Sequence, residues 1–345
     1  MRINIIGFSS KGCALAKEIY DEFQEYACLY YGRTKGNTHG AEYVTSMDEW
    51  VADSFKHCDA VIFIGAAGIA VRCIAPHIKD KTTDPAVIVI DELGKNIIPI
   101  LSGHIGGANE LSLEIKERIG GNVIITTATD LNHVFSVDTF AVDNDLHIGN
   151  MSIAKQISAR LLDGLTVCIS SDVKIYGDLP NGLVYADHGD IGIHITPYNV
   201  PPPFKKTLTL TPKQMFIGIG CRKGVEMSVI EKRVFTDLNE SGISIHSIKA
   251  GGSIDLKKDE EGLLEFFNKY DIPATFFTAN ELEAIKGDFF DSEYVREVTG
   301  VGNVCERAAL AVSDGGELIT RRTTGNGVTV AVASKDPMIN FGVIK

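Results

Sequence analysis

Three short apolar runs restrict this chain more than any other feature: Asp59-Ala-Val-Ile-Phe-Ile-Gly65, Ala86-Val-Ile-Val-Ile-Asp91 and Asn122-Val-Ile-Ile-Thr126. Each is continuously apolar rather than alternating, the pattern of a strand covered on both faces. Between them lie a Gly-rich turn leading into a short helix, Ala66-Ala-Gly-Ile-Ala-Val-Arg72 on to Pro76, and the segment Ile97-Ile-Pro-Ile-Leu-Ser-Gly-His104. Gly106-Gly-Ala-Asn109 then opens a helix whose Ala108, Leu111, Ile115 and Ile119 share one face. Each run gives way to polar or Gly-rich residues, and in open α/β sheets the carboxyl edge is where ligands bind. The two glycines before Ala108 are expected to leave the first helical amides open to an anion such as a carboxylate.

The rest of the chain repeats this alternation. Ile3–Gly7 reads as a strand, Phe8-Ser-Ser-Lys-Gly12 as its turn, and Leu15, Ile19 and Phe23 as one helix face. The loop lacks the G-x-x-x-x-G-K-[ST] spacing of a phosphate-binding P-loop, so a tight strand-to-helix turn is the simpler reading. Residues 1–135 are therefore expected to form an N-terminal doubly wound parallel sheet domain. Residues 136–200 read as a small middle α/β domain, with Ile153, Ile157 and Leu161 on a helix and strands at Thr166–Ser170 and Ile191–Thr196. His188 and His194 there receive no role. The run Pro201-Pro-Pro203 favours polyproline II, so residues 201–212 are expected to be a linker. Residues 213–345 read as a C-terminal α/β domain with strands near Gln214–Gly220, Ser244–Lys249, Thr275–Thr278 and Val328–Ala333.

At 345 residues the chain is too long for one typical core. Its net charge of −12 argues against a nucleic-acid partner, which asks for a basic face. The seven cysteines include no C-x-x-C pair and total an odd number, as in a reduced cytoplasmic protein without a disulfide frame or zinc site. No apolar run is long enough to span a bilayer, so no membrane partner is expected.

Several motifs occur in a fixed order: Gly68-Ile-Ala-Val-Arg72-Cys-Ile-Ala-Pro76, Lys81-Thr-Thr-Asp84-Pro, Asp91-Glu92, Leu101-Ser-Gly-His104-Ile-Gly-Gly-Ala-Asn109 and Thr126-Thr-Ala-Thr-Asp130. Gly218-Ile-Gly-Cys-Arg-Lys-Gly224 and Val301-Gly-Asn-Val-Cys-Glu-Arg-Ala-Ala-Leu310 follow in the last third. Together they resemble the CbiG family of cobalamin biosynthesis, the cobalt-precorrin-5A hydrolases of the anaerobic pathway, over most of the chain. The resemblance implies hydrolysis of a δ-lactone on a ring-contracted cobalt tetrapyrrole. C–C cleavage then releases acetaldehyde and leaves cobalt-precorrin-5B. Cobalt would travel on the substrate, so no cofactor and no protein-held metal is expected. The implied partners are the tetrapyrrole, other enzymes of that pathway and a second copy of the chain. A non-catalytic tetrapyrrole carrier is the alternative, because the C-terminal motifs also resemble a stand-alone protein of the pathway.

Such a reaction needs a base for water, donors for an oxyanion and charge for peripheral carboxylates. His104 titrates near neutral pH between two Gly-rich turns and is the first candidate base, with a turn-capping histidine as the bland alternative. Asp91 and Glu92 are either further catalytic carboxylates at a strand end or the turn of a hairpin. Gly106, Gly107 and Asn109 would bind a carboxylate or an oxyanion, or simply cap and pack the helix. Ser102 lacks the G-x-S-x-G elbow and is assigned to binding, with Gly68 and Thr127. Arg72 is a fork donor for a carboxylate or a solvated ion pair with Asp84, and Lys81 and Asp84 share that ambiguity. Gly220, Arg222 and Lys223 follow a strand and precede a helix, an anion-friendly position. Glu306 is grouped with them, although the helix macrodipole alone accounts for a carboxylate in a first turn.

Overall fold

The structure, a computed structural model, describes residues 1–80, 83–132 and 134–342. The chain divides into two compact units, Met1–Val142 and Asp143–Lys345.

In the first unit, β1 (Arg2–Gly7), β2 (Ala27–Gly32), β3 (Glu42–Tyr43), β4 (Ala60–Ile64), β5 (Ala86–Ile90), β6 (Asn96–Leu101) and β7 (Asn122–Val123) form one sheet in the order β3-β2-β1-β4-β5-β6-β7. Its helices are α1 (Ser10–Glu22), α2 (Met47–His57), α3 (Ala67–Ile74) and α4 (Ala108–Ile119), followed by α5 (Ala128–Leu131) and α6 (Val137–Asp143). Strand residues alternate between two cores. Ile3, Ile5, Ile62, Ile64, Ile88 and Ile90 pack on Leu15 and Ile19 of α1 and on Leu111 and Ile115 of α4. Ile6, Val61, Phe63, Val87 and Val89 pack on Val51 of α2 and on Ala70 and Ile74 of α3. Both faces of β1, β4 and β5 are therefore dry, which is why those strands read as unbroken apolar runs. The run Asn122–Thr126 is corrected: it forms only the two-residue edge strand β7, with Ile124 exposed.

The sheet is parallel over β1 to β5. It ends differently: β6 runs antiparallel to β5, and β7 runs parallel to β6. The Asp91–Lys95 turn folds β6 straight back as a hairpin rather than through a crossover helix. Pro99 sits within β6 opposite Ile88, beside a register shift, the kind of irregularity that tolerates a missing ladder N–H.

The second unit begins with β8 (Leu146–Ile148) and α7 (Met151–Leu162), followed by β9 (Val167–Ser171), β10 (Ile175–Tyr176), β11 (Leu183–Tyr185), β12 (Gly189–Ile195) and β13 (Phe204–Pro212). Its first sheet has the order β11-β9-β12-β13-β8, parallel except at β8. Here the expected linker over 201–212 is corrected. Only the prolines up to Pro203 precede the ladder; from Phe204 the chain is strand β13, paired with β12 from Gly189↔Phe204 to Ile195↔Leu210. Phe204, Leu208 and Leu210 are buried while Lys205 and Lys206 are exposed, so core packing decides the segment after the last ring.

The last domain contains β14 (Met215–Cys221), α8 (Met227–Glu240), β15 (Ile248–Ile254), α9 (Glu261–Lys269), β16 (Ala274–Phe277), α10 (Ala279–Ala284), α11 (Glu293–Thr299), α12 (Cys305–Ser313), β17 (Glu317–Gly325) and β18 (Val328–Ser334). A final strand, β19 (Ile339–Asn340), pairs with β10. The sheet order is β16-β15-β14-β18-β17, with β14 to β16 parallel. The expected strand at Ser244–Lys249 starts only at Ile248, because the Ser244 hydroxyl accepts the His246 N–H and winds Ile245–Ser247 into a 3₁₀ turn. One sheet face packs on α8 and α9 through Ile230, Val234, Leu263 and Phe266. On the other face α12 lies almost against the backbone. A Cβ on Gly218 would fall 1.8 Å from the Cys305 carbonyl oxygen, and one on Gly252 would fall 2.7 Å from that of Ala308.

Candidate active site

The reversal at β6 decides where the candidate residues lie. β5 delivers Asp91 and Glu92 to the carboxyl edge of the parallel strands. β6 then returns, pairing Leu101 with Val87, and delivers Ser102 to His104 to the opposite edge. With about 3.3 Å per strand residue, the two groups stand roughly 15 Å apart. The sequence places them in one succession of strand ends; the fold separates them.

At the edge reached by β6, a compact loop presents His104. Ser102 adopts a left-handed φ of 54°, and its hydroxyl donates to the Asp84 carbonyl at 2.9 Å. Gly106 is required there, since a Cβ would lie 2.4 Å from the Ser102 Cβ. Gly107 caps α4 with φ 78° and donates its N–H to the His104 carbonyl at 2.9 Å. The expected open amides at this helix start are corrected: Ala108 N–H donates to the Ser102 carbonyl at 3.1 Å and Asn109 N–H to the Gly103 carbonyl at 2.9 Å. Both residues are buried, so these amides hold the loop rather than face a ligand.

That folded loop brings four polar side chains together. His104 Nε2 lies 3.0 Å from Asp130 Oδ2. The Asn109 amide donates to the same oxygen at 3.2 Å and to Thr127 Oγ1 at 3.4 Å. A carboxylate can only accept, so Nε2 carries the proton and the neutral ring leaves its Nδ1 lone pair available. Among the described residues Nδ1 has no hydrogen-bond partner. His104 keeps 15% of its side chain exposed and Asp130 35%. An imidazole backed by a carboxylate, with its other nitrogen open, is the arrangement of a general base. Sequence reasoning chose His104, Asn109 and Thr127 but passed over Asp130. The signal was the Thr126-Thr-Ala-Thr-Asp130 run after an apolar strand.

At the opposite edge Asp91 is a turn residue. Its oxygens accept the N–H groups of Leu93 (2.9 Å), Lys95 (3.4 Å) and Asn96 (2.7 Å), and the Asn96 amide at 2.9 Å. Burial pushes its carboxyl up, but these bonds outweigh burial and hold it below the usual carboxylate range. A carboxylate so engaged makes a poor base at neutral pH, so the hairpin reading of Asp91 prevails. Glu92 is exposed and accepts the Ser9 hydroxyl at 2.7 Å. Gly68 and Arg72 lie exposed on α3, where Arg72 Nη1 reaches the Gly68 carbonyl at 3.4 Å. Arg72 makes no ion pair with Asp84, whose two oxygens both accept the Lys79 N–H at 2.9 and 3.1 Å. Lys81 lies outside the described residues.

In the last domain Gly220 is part of β14, and Arg222 and Lys223 follow it into solvent. Neither has a carboxylate within 4.0 Å among the described residues, so both charges are free to meet a ligand. Glu306 is corrected: it is 1% exposed, with Oε1 accepting the Arg322 N–H at 2.8 Å and Oε2 the Asn303 amide at 2.8 Å. Asn303 Oδ1 in turn accepts the Glu306 N–H at 3.1 Å. The pair is a reciprocal cap at the start of α12 and leaves no oxygen for a substrate.

Family models described as "Cobalamin synthesis G N-terminal", "Cobalamin biosynthesis central region" and "Cobalamin synthesis G C-terminus" match residues 49–130, 135–212 and 215–333. The cobalt-precorrin-5A hydrolase of Salmonella typhimurium is 33% identical over 294 residues, covering 81% of this chain and 83% of its own. The cobalt-precorrin-5A hydrolase of Priestia megaterium is 29% identical over 354 residues, covering 95% and 94%. Among solved structures, a cobalamin biosynthesis protein G homologue from Sulfolobus solfataricus aligns over 96% of both chains at 22% identity, with a TM-score of 0.40. Among the described residues no helix is long and apolar enough to cross a membrane. With all three regions matched in order along one polypeptide, and a relative 33% identical over most of its length, the chain belongs to the CbiG family of cobalamin-biosynthesis proteins.

Proposed function

We propose that this protein is a cobalt-precorrin-5A hydrolase, opening the δ-lactone of a cobalt tetrapyrrole and releasing acetaldehyde. The observation that carries the chemistry is the His104–Asp130 pair, 3.0 Å apart, with His104 Nδ1 open. Nδ1 takes a proton from water as the oxygen attacks the lactone carbonyl. The imidazolium that forms faces the Asp130 carboxylate, which stabilises it. Collapse of the tetrahedral intermediate breaks the ester C–O bond and leaves a carboxylate and a hydroxyl. As that hydroxyl loses its proton, the adjacent C–C bond breaks, acetaldehyde departs and the bonding pair passes into the cobalt macrocycle. His104 is the group placed to shuttle these protons. The electron sink belongs to the substrate, as it does for most cofactor chemistry.

Asn109 holds Asp130 in place through its side-chain amide, and Thr127 steadies that amide by accepting from it. Asp91, Glu92 and Glu306 have no part in this mechanism. Arg222 and Lys223 recruit the carboxylated macrocycle, which answers how a chain of net charge −12 attracts a polyanion: through local, unpaired cations. Ser102, Gly106 and Gly107 build the loop that carries His104, and Gly68 and Arg72 are left as contacts of the substrate periphery.

The test is anaerobic incubation with cobalt-precorrin-5A and measurement of acetaldehyde by NADH oxidation with alcohol dehydrogenase. Stoichiometric acetaldehyde is expected. A spectral change of the tetrapyrrole without acetaldehyde would make the protein a carrier instead.

A further inference from the structure

The middle domain contains a second polar constellation that the proposed lactone chemistry does not use. β9 and β12 are neighbouring parallel strands with Ser170 in register with His194. Two residues further on, Asp172 and Thr196 stand beside each other on the same face, because side chains repeat every second residue along a strand. Ser170 Oγ lies 2.8 Å from His194 Nδ1. His194 Nε2 lies 3.6 Å from Asp172 Oδ2. The Thr196 hydroxyl donates to that same Asp172 oxygen at 2.6 Å and itself accepts the Tyr198 N–H at 3.1 Å. A Ser171 turn onto Val173 fixes the strand end that carries Asp172. His194 is 7% exposed and offers one ring nitrogen to each partner, so Nε2–H faces the carboxylate and Nδ1 accepts from the serine. The group lies at the carboxyl edge of parallel strands, where α/β sheets bind ligands. Ser170, Asp172 and His194 line a cavity of about 380 Å³ with Tyr185 and Asp187, at the small-ligand end of the usual range.

We propose that Ser170 is an activated nucleophile, with His194 as its base and Asp172 as the positioning residue, hydrolysing small uncharged carboxylic esters. The rim carboxylates Asp172 and Asp187 repel anionic substrates, and the cavity is too small for a tetrapyrrole. Ser170 Oγ attacks the ester carbonyl while its proton passes to His194 Nδ1, and that proton leaves with the alcohol. Water, deprotonated by the same nitrogen, then cleaves the acyl–Oγ bond, returning free serine and a carboxylic acid.

A neutral alkyl fluorophosphonate tests the nucleophile in the full-length protein, because Oγ–P bond formation expels fluoride and leaves a stable adduct. Peptide mass analysis is expected to place the adduct on Ser170 in folded protein and to find none after heat denaturation. Ser170→Ala abolishes labelling, and His194→Gln slows it by roughly 100-fold or more. Asp172→Asn, a change at a solvent-exposed position, slows labelling and moves the midpoint of its pH profile downward, which a merely structural aspartate would not do. p-Nitrophenyl acetate turnover is expected to follow the same order. Unlabelled Ser170 in folded wild-type protein, or labelling indifferent to His194 and Asp172, would overturn the proposal and reduce the network to support for a buried histidine. The readout requires no tetrapyrrole, so it stands or falls apart from acetaldehyde release.

Discussion

Asp130→Asn isolates the proposed chemistry most cleanly. The substitution keeps the size of the side chain and an oxygen for the Asn109 amide, but replaces the acceptor-only carboxylate that fixes the proton on His104 Nε2 at 3.0 Å. A hydrogen bond to a charged group contributes about 1.5–3 kcal/mol. If that bond strengthens as the imidazolium forms, its loss lowers kcat by about 10- to 150-fold, at roughly 1.4 kcal/mol per decade. KM stays close to wild type, because Asp130 supports the base rather than gripping the substrate. Acetaldehyde release under saturating cobalt-precorrin-5A measures kcat, and a thermal melt confirms the fold. Asp91→Asn is the matched comparison: it loosens the hairpin turn and lowers stability while the intact molecules turn over normally. A wild-type kcat in Asp130→Asn, or lost turnover in well-folded Asp91→Asn, would refute the assignment of the base.

Four further outcomes are expected. His104→Ala loses acetaldehyde release but still binds the tetrapyrrole, as titration of the macrocycle's absorbance will report. Arg222→Ala raises KM several-fold with little change in kcat; a pure loss of kcat would place the guanidinium in the transition state instead. Gly218→Ala drives a Cβ to within 1.8 Å of the Cys305 oxygen, costing about 3 kcal/mol and lowering the melting temperature by roughly 10 °C in a calorimetric scan. His147 stacks on His246 at a ring distance of 3.8 Å; burial, then His246 and Lys213, push its pKa below the ordinary 6.5. The unfolded chain therefore takes up that proton first, so this contribution to stability is complete above pH 6.5 and declines as pH falls below it. Denaturant titrations across that range will show a shallower decline in His246→Phe, which keeps the stacking and removes the repulsion that His246 exerts on a protonated His147.

Much of the fold could be read from periodicity. Continuous runs such as Ala86–Ile90 announce strands dry on both faces, and Leu111 and Ile115 announce the helix that covers one of them. Strand direction was legible only as one of two alternatives, the hairpin turn at Asp91–Gly94, because Ile97–Leu101 has the same composition whether it runs up or down the sheet. Only the turn before it decides, through backbone N–H groups converging on Asp91. The same limit hid Asp130, which approaches His104 only after the chain has crossed α4 and β7. The linker expectation failed at Phe204 because proline identity is visible in sequence while the partner strand is not. Ser170 and His194, 24 positions apart, meet only through strand register.

The hairpin at Asp91 also acts as a ruler for His104, the proposed base. Because a strand turns its side chains over at every step, one residue added or removed between Asp91 and Lys95 would slide β6 by about 3.3 Å and present its alternate face. His104 would then leave the reach of Asp130, although nothing near either residue had changed. On the proposed chemistry the length of this turn is therefore under chemical as well as architectural constraint, and the carboxylate fastened within it sets the reach of a base that it never touches.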